Sequence, residues 1–298
     1  MIQHLLVPLD GSTLAESALP VAEALALALD ARITLMHVIE ADAEELVHGE
    51  PHLTEATEAG AYLQRLQRRL QLAGLRTDCH VHATAVVDVA AGIAAHQQEL
   101  RPDLIVMCTH GPAGLARRMR GSLAQQVVEL GQTPLLLVRP ASTGREEVFS
   151  LKQILVPLDG RAEHGAGLEL AMELAGAAGA RLQLLSIVPS LPSLAGAEAT
   201  LARFLPAASQ KLQELAQQGL QHFLDAALGR AAAQGVAASA EIRAGKVPVV
   251  IAAAATEGAA DLIVMATHGK AGAKAFWANS VAGAVQAKTS RPLLLVPV

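Results

Sequence analysis

Short runs of apolar residues alternate along the chain with longer segments whose apolar positions recur every three or four residues. In the first half, Leu5–Pro8, Arg32–Val38, Cys79–Thr84, Leu104–Cys108 and Leu135–Val138 read as strands. Between them, Ser12–Leu29 has helical spacing, with Thr13 and Glu16 in a capping-box arrangement and Pro20 inside the helix, where a bend is expected. Thr54–Ala73, Val89–Glu99 and Ser122–Leu130 read as further helices, the last stopped by Gly131. Strands that are almost wholly apolar and separated by helices belong to a parallel sheet covered on both faces.

The pattern then repeats. "HLLVPLDG" (His4–Gly11) returns as "QILVPLDG" (Gln153–Gly160), and "DLIVMCTHG" (Asp103–Gly111) as "DLIVMATHG" (Asp261–Gly269). "TPLLLVRP" (Thr133–Pro140) returns as "RPLLLVPV" (Arg291–Val298). Matches in the same order indicate a tandem duplication, with domains at 1–140 and 153–298 and a polar linker at 141–152. The second copy carries a Pro- and Ser-containing insertion after its second strand, read as a mobile loop leading into a long helix.

Composition narrows the function. Of 298 residues, 52% are hydrophobic and 17% charged, enough for two cores; aromatics are only 2%, so Ala, Leu and Val must fill them. A net charge of -5 argues against nucleic-acid binding. Cys79 and Cys108 form no metal motif or disulfide framework. No signal peptide is visible, and the apolar runs are too short to span a bilayer, so a cytoplasmic location is expected.

The candidate chemistry lies in "MCTHGPAGLARRMRGS" (Met107–Ser122), between an apolar strand and a helix. In a doubly wound sheet, ligands bind beyond the carboxyl ends of the strands, where the strand order reverses. Asp10 follows the first strand and this glycine stretch the fourth; if those strands are neighbours, both face one crevice. Asp10 reads first as a turn residue, with a ligand role compatible. Gly111 and Gly121 let backbone N–H groups approach an anion, Ser122 caps the following helix or donates to phosphate, and Arg117, Arg118 and Arg120 add charge. Sequence motifs of P-loop, dinucleotide and hydrolase-elbow sites are missing. His110 and His268 read as structural. His80 and His82 alternate on one strand face, where a metal pair is one reading and an exposed polar face the favoured one. His48 and His52 have zinc-like spacing, but Gly49 and Pro51 rule out a regular helix there. No metal site and no catalytic residue is assigned.

These residues resemble a tandem universal stress protein, two such domains covering nearly the whole length. The family's signature is G-x2-G-x9-G-[ST]; Gly111, nine residues from Pro112 to Arg120, then Gly121 and Ser122 fit it, with Cys108 in place of the first glycine. The resemblance implies, for each half, a Rossmann-like α/β domain of the adenine nucleotide hydrolase-like type, a five-stranded parallel sheet with helices on both faces. It implies ATP, with or without Mg2+, as the ligand of the first domain. Pro8 and Asp10 would border adenosine, the backbone at Val38 would meet adenine, and Met107 and Cys108 would lie along the ribose. Gly111, Gly121, Ser122 and the N–H of Leu123 would hold phosphates. In the second domain the corresponding residues are Asp159, Ile187, Gly269, Asn279 and Ser280, and Ala266 and Asn279 replace signature glycines. The resemblance further implies a pseudo-dimer through the last strands and a homodimer of the whole chain. Three functions remain: nucleotide-dependent binding or signalling in the stress response, a nucleotide-independent interaction protein, and a slow ATPase.

Overall fold

A computed structural model describes residues 1–109, 123–140, 148–188, 204, 206–267 and 280–298. The chain divides into two units, the first comprising Met1–Ser150 with Pro292–Pro297 and the second starting at Leu151.

In the first unit, β1 (His4–Pro8) is followed by α1 (Thr13–Glu16), α2 (Leu19–Leu29) and β2 (Arg32–Glu40). A small hairpin of β3 (Leu46–Val47) and β4 (Glu50–Pro51) precedes α3 (Ala56–Leu72), β5 (Thr77–Val86) and α4 (Val89–Leu100). Then come β6 (Leu104–Cys108), α5 (Leu123–Leu130) and β7 (Leu135–Val138). The strands lie in the order β7-β6-β1-β2-β5, all parallel. The last strand of the chain, β12 (Leu293–Pro297), runs antiparallel beside β7, with Leu294 opposite Leu136. Leu5, Leu6, Val7, Ile33, Leu35, Ile105 and Val106 are all 0% exposed, which is why these strands read as unbroken apolar runs.

The second unit follows the same plan: β8 (Gln153–Leu158), α6 (Gly165–Ala178), β9 (Arg181–Val188), α7 (Pro206–Ala233), β10 (Ala238–Ala244), α8 (Val247–Glu257), β11 (Leu262–Thr267) and α9 (Val281–Gln286). Its strands run parallel in the order β10-β9-β8-β11. The long helix expected after the insertion is α7, with 28 residues.

Two expectations about the first helix are corrected. The cap is Ser12, whose Oγ accepts from the Ala15 N–H at 3.2 Å, while Thr13 donates from its N–H and its hydroxyl to Glu50 Oε1 at 2.8 and 2.6 Å. Pro20 does not bend a continuous helix. The segment breaks after Glu16, and Pro20 stands in the first turn of α2, where its missing N–H costs nothing.

The duplication also carries a brace that motif reading overlooks. Asp103 Oδ2 accepts from the N–H groups of Gln3 and His4 at 2.8 and 3.0 Å, and Asp261 Oδ2 accepts from those of Lys152 and Gln153 at 2.8 and 2.9 Å. The acid opening each "DLIVM" thus fixes the start of the neighbouring strand. Asp103→Ala and Asp261→Ala are each expected to cost about 1–2 kcal/mol, since charge-assisted bonds are lost at a partly hydrated edge. Urea midpoints measure this, and equal midpoints for wild type and both variants would contradict it.

Candidate functional site

The strand order of the first unit reverses at β1, which pairs with β2 on one side and β6 on the other. Pro8 and Asp10 therefore sit at the carboxyl end of β1, Val38 near that of β2, and Met107 and Cys108 at that of β6. Met107 and Val38 are buried; Pro8, Asp10 and Cys108 are half-buried. Burial first, and then the nearby Asp10 carboxylate, push the Cys108 thiol up to about 12, so at neutral pH it stays protonated beside Asp10. Leu123, half-buried, opens α5. Gly111, Gly121 and Ser122 lie outside the described residues, as do Arg117, Arg118, Arg120 and His110.

Asp10 is a turn residue, as its sequence context suggested. Its Oδ1 accepts from the Ser12 N–H at 2.9 Å and from the Ser12 hydroxyl at 2.6 Å. The turn needs Gly11, whose φ is +95°. In the second unit Gly160 repeats the geometry at +81°, and Asp159 Oδ1 meets the Arg161 N–H at 3.1 Å and His164 Nδ1 at 2.9 Å. Ile187 is half-buried in β9. Ser280 caps α9, its Oγ accepting from the Gly283 N–H at 3.0 Å. Gly269 and Asn279 lie outside the described residues.

The feature least foreseen is the hairpin of β3 and β4, which closes over the end of β1. His48 and Gly49 both have positive φ, at 53° and 85°, the requirement of a two-residue type I′ turn. His48 Nε2 stands 3.5 Å from Asp10 Oδ2, and Glu50 takes the two Thr13 bonds. Beyond the hairpin, Leu53 covers Gly11: a Cβ on that glycine would lie 2.7 Å from Leu53 Cδ1. Buried His37 lies between the two segments, Nδ1 2.8 Å from the Leu9 carbonyl and Nε2 3.1 Å from that of Leu53. The signal in the sequence was the His-Gly pair itself, since histidine is among the residues that tolerate positive φ.

His80 and His82 do not lie on an exposed face. Both are half-buried on β5 and pack against His96 of α4, with ring centroids 4.4 and 4.9 Å from it. His96 belongs to no motif in the sequence, because its partners lie on another element, β5.

A parallel sheet that reverses beside its first strand, with an acid–glycine turn on one side of the crevice and a glycine-rich stretch beginning on the other, defines a doubly wound α/β protein of the Rossmann-like type. The sequence profile of the universal stress protein family matches residues 1–139 and again 150–297, and the chain belongs to that family. A universal stress protein of Thermus aquaticus, described by its place in the QAH/OAS sulfhydrylase 3′ region, is 34% identical over 151 residues, 47% of this chain and 100% of its own length. Several solved structures match nearly all of the chain, among them the following two. A Pseudomonas aeruginosa protein described as functionally unknown has 18% identity, a TM-score of 0.67 and coverage of 99% of this chain and 92% of its own. A universal stress protein of Archaeoglobus fulgidus has 16% identity, a TM-score of 0.64 and coverage of 99% and 96%. Among the described residues, no helix is long and apolar enough to cross a membrane.

Proposed function

We propose that this universal stress protein binds ATP in its first repeat, at the crevice between the carboxyl ends of β1 and β6, and acts in the cytoplasm through nucleotide-dependent contacts. The observation that carries this reading is the meeting of Asp10 and Cys108 at the point where strand order reverses, with the glycine-rich stretch filling the sequence between Cys108 and the start of α5 at Leu123. Pro8, Asp10, Val38 and Met107 would surround the nucleoside; Gly111, Gly121, Ser122 and the Leu123 N–H would take the phosphates, with Mg2+ accompanying them if it binds. The repeats act as domains at 1–140 and 153–298, joined by 141–152.

The second repeat is the weaker site. Asn279 replaces the last glycine, Asp159 is engaged by His164 and Arg161, and the following helix α9 has only six residues. A nucleotide-independent interaction protein is the second reading, favoured by His48 of the hairpin lying against Asp10 and by Leu53 covering Gly11. Mass spectrometry of small molecules released from the purified chain separates the two. ATP or ADP approaching one per chain supports the first reading; a nucleotide-free chain that takes up none from millimolar ATP overturns it.

A further inference from the structure

The three side chains around His96 are arranged for something the fold does not require. His80 and His82 stand two residues apart on β5, the edge of the parallel run, and so share a face. Gly92 lets α4 approach that face: a Cβ there would meet Val38 Cγ1 at 3.2 Å. One turn further along α4, His96 reaches the histidines, and Glu99 follows three residues later on the same side of the helix. His96 is only 7% exposed. Its Nε2 lies 2.9 Å from His82 Nδ1 and its Nδ1 lies 2.9 Å from Glu99 Oε2. His80 Nε2 is buried and, among the described residues, has no hydrogen-bond partner.

A buried ring nitrogen left unpaired carries the full cost of its lost hydration. That cost persists in a site where two further imidazoles and a carboxylate already converge. One ligand atom each from His80, His96 and Glu99 lies within 4.8 Å of the others. Around a tetrahedral zinc with bonds of about 2.0–2.1 Å, ligand atoms stand about 3.4 Å apart, so the set must contract. Glu99, whose side chain is 63% exposed, is free to rotate inward and leaves an entry path from solvent.

We propose that His80, His96 and Glu99 form a binding site for a divalent transition-metal ion of the zinc class, with His82 positioning His96 from behind. Imidazole and carboxylate donors suit zinc, cobalt and nickel, and three protein ligands leave a coordination position for water. When His96 Nδ1 binds the ion, the imidazole proton sits on Nε2 and is donated to His82 Nδ1, the outer contact that fixes a ligand's tautomer and ring orientation. The ion would clamp edge strand β5 to α4. The site is independent of the nucleotide reading, and its test contains no nucleotide.

The test is titration of Zn2+ into the EDTA-stripped full chain, with Co2+ absorption as the spectroscopic readout. The expected result is one ion per chain, a cobalt spectrum of low-coordinate nitrogen–oxygen ligation, and a thermal midpoint that rises with Zn2+ and returns with EDTA. His80→Ala and Glu99→Gln should each weaken binding at least tenfold, and His82→Ala by about 10–100-fold. His222→Ala, at an exposed position of α7, should change nothing. Because Glu99 is exposed, its variant tests the site even if substitutions at the buried histidines unfold the chain. A wild-type chain with no stoichiometric ion means that water alone satisfies His80, and the proposal falls. It also falls if Zn2+ binds equally well to Glu99→Gln and His80→Ala.

Discussion

Gly11→Ala is expected to lower stability by about 3 kcal/mol, and Gly160→Ala by only about 1–2 kcal/mol, although the two glycines hold equivalent places in the repeats. Both positions have strongly positive φ, so each alanine incurs the backbone cost. The difference comes from what covers them. At Gly11 a Cβ would lie 2.7 and 2.8 Å from two atoms of Leu53, just beyond the β3–β4 hairpin and next to His52, whose N–H donates to the Glu45 carbonyl at 3.0 Å. At Gly160 the nearest atom is Leu220 Cδ2 at 3.0 Å, the end of a side chain on α7 that can give way. Urea unfolding of both variants measures the gap. Equal losses would mean that the hairpin yields to the added methyl and does not clamp the end of β1.

The second large effect centres on His37. It is 1% exposed, and burial holds its pKa below the usual 6.5 against the raising effect of the Leu9 and Leu53 carbonyls; His52 lowers it further and Asp10 raises it. A neutral imidazole has one N–H, and the shorter contact, Nδ1 to the Leu9 carbonyl at 2.8 Å, takes it. His37→Leu removes that donor, leaves a buried carbonyl unpaired and should cost about 2 kcal/mol at pH 7.5. The pH dependence has a defined sign. Because the folded pKa lies below the unfolded one, the unfolded chain binds the proton first. The contribution of His37 is complete above pH 6.5 and is lost as pH falls through the folded value. The leucine variant has no such loss, so its deficit should shrink between pH 7.5 and pH 5. A deficit that grows on acidification would falsify the assignment.

Both effects bear on how far the sequence could be read. The strands were legible because their residues are buried on both faces, and the duplication was legible because Asp103 and Asp261, Asp10 and Asp159 recur in fixed surroundings. The placement of β1 between β2 and β6 could be expected only conditionally, since apolar runs do not state their order. What stayed hidden depends on contacts distant in sequence. The brace from Asp103 to Gln3 and His4 spans about a hundred residues. The cap at Ser12 displaced Thr13 because Glu50, in a hairpin too short to show periodicity, takes the threonine instead. His80 and His82 looked like a solvated stripe because nothing in an alternating strand shows that α4 carries a third histidine onto it.

On the proposed function, two repeats of one fold bind nucleotide unequally, the first through the glycine stretch that follows β6. Calorimetric titration of ATP into the purified chain, into Gly121→Trp and into Gly269→Trp tests it most directly. Unequal binding gives saturating heat at one ATP per chain in wild type, the same heat in Gly269→Trp, and none in Gly121→Trp. No heat in wild type, or undiminished heat in Gly121→Trp, would contradict it.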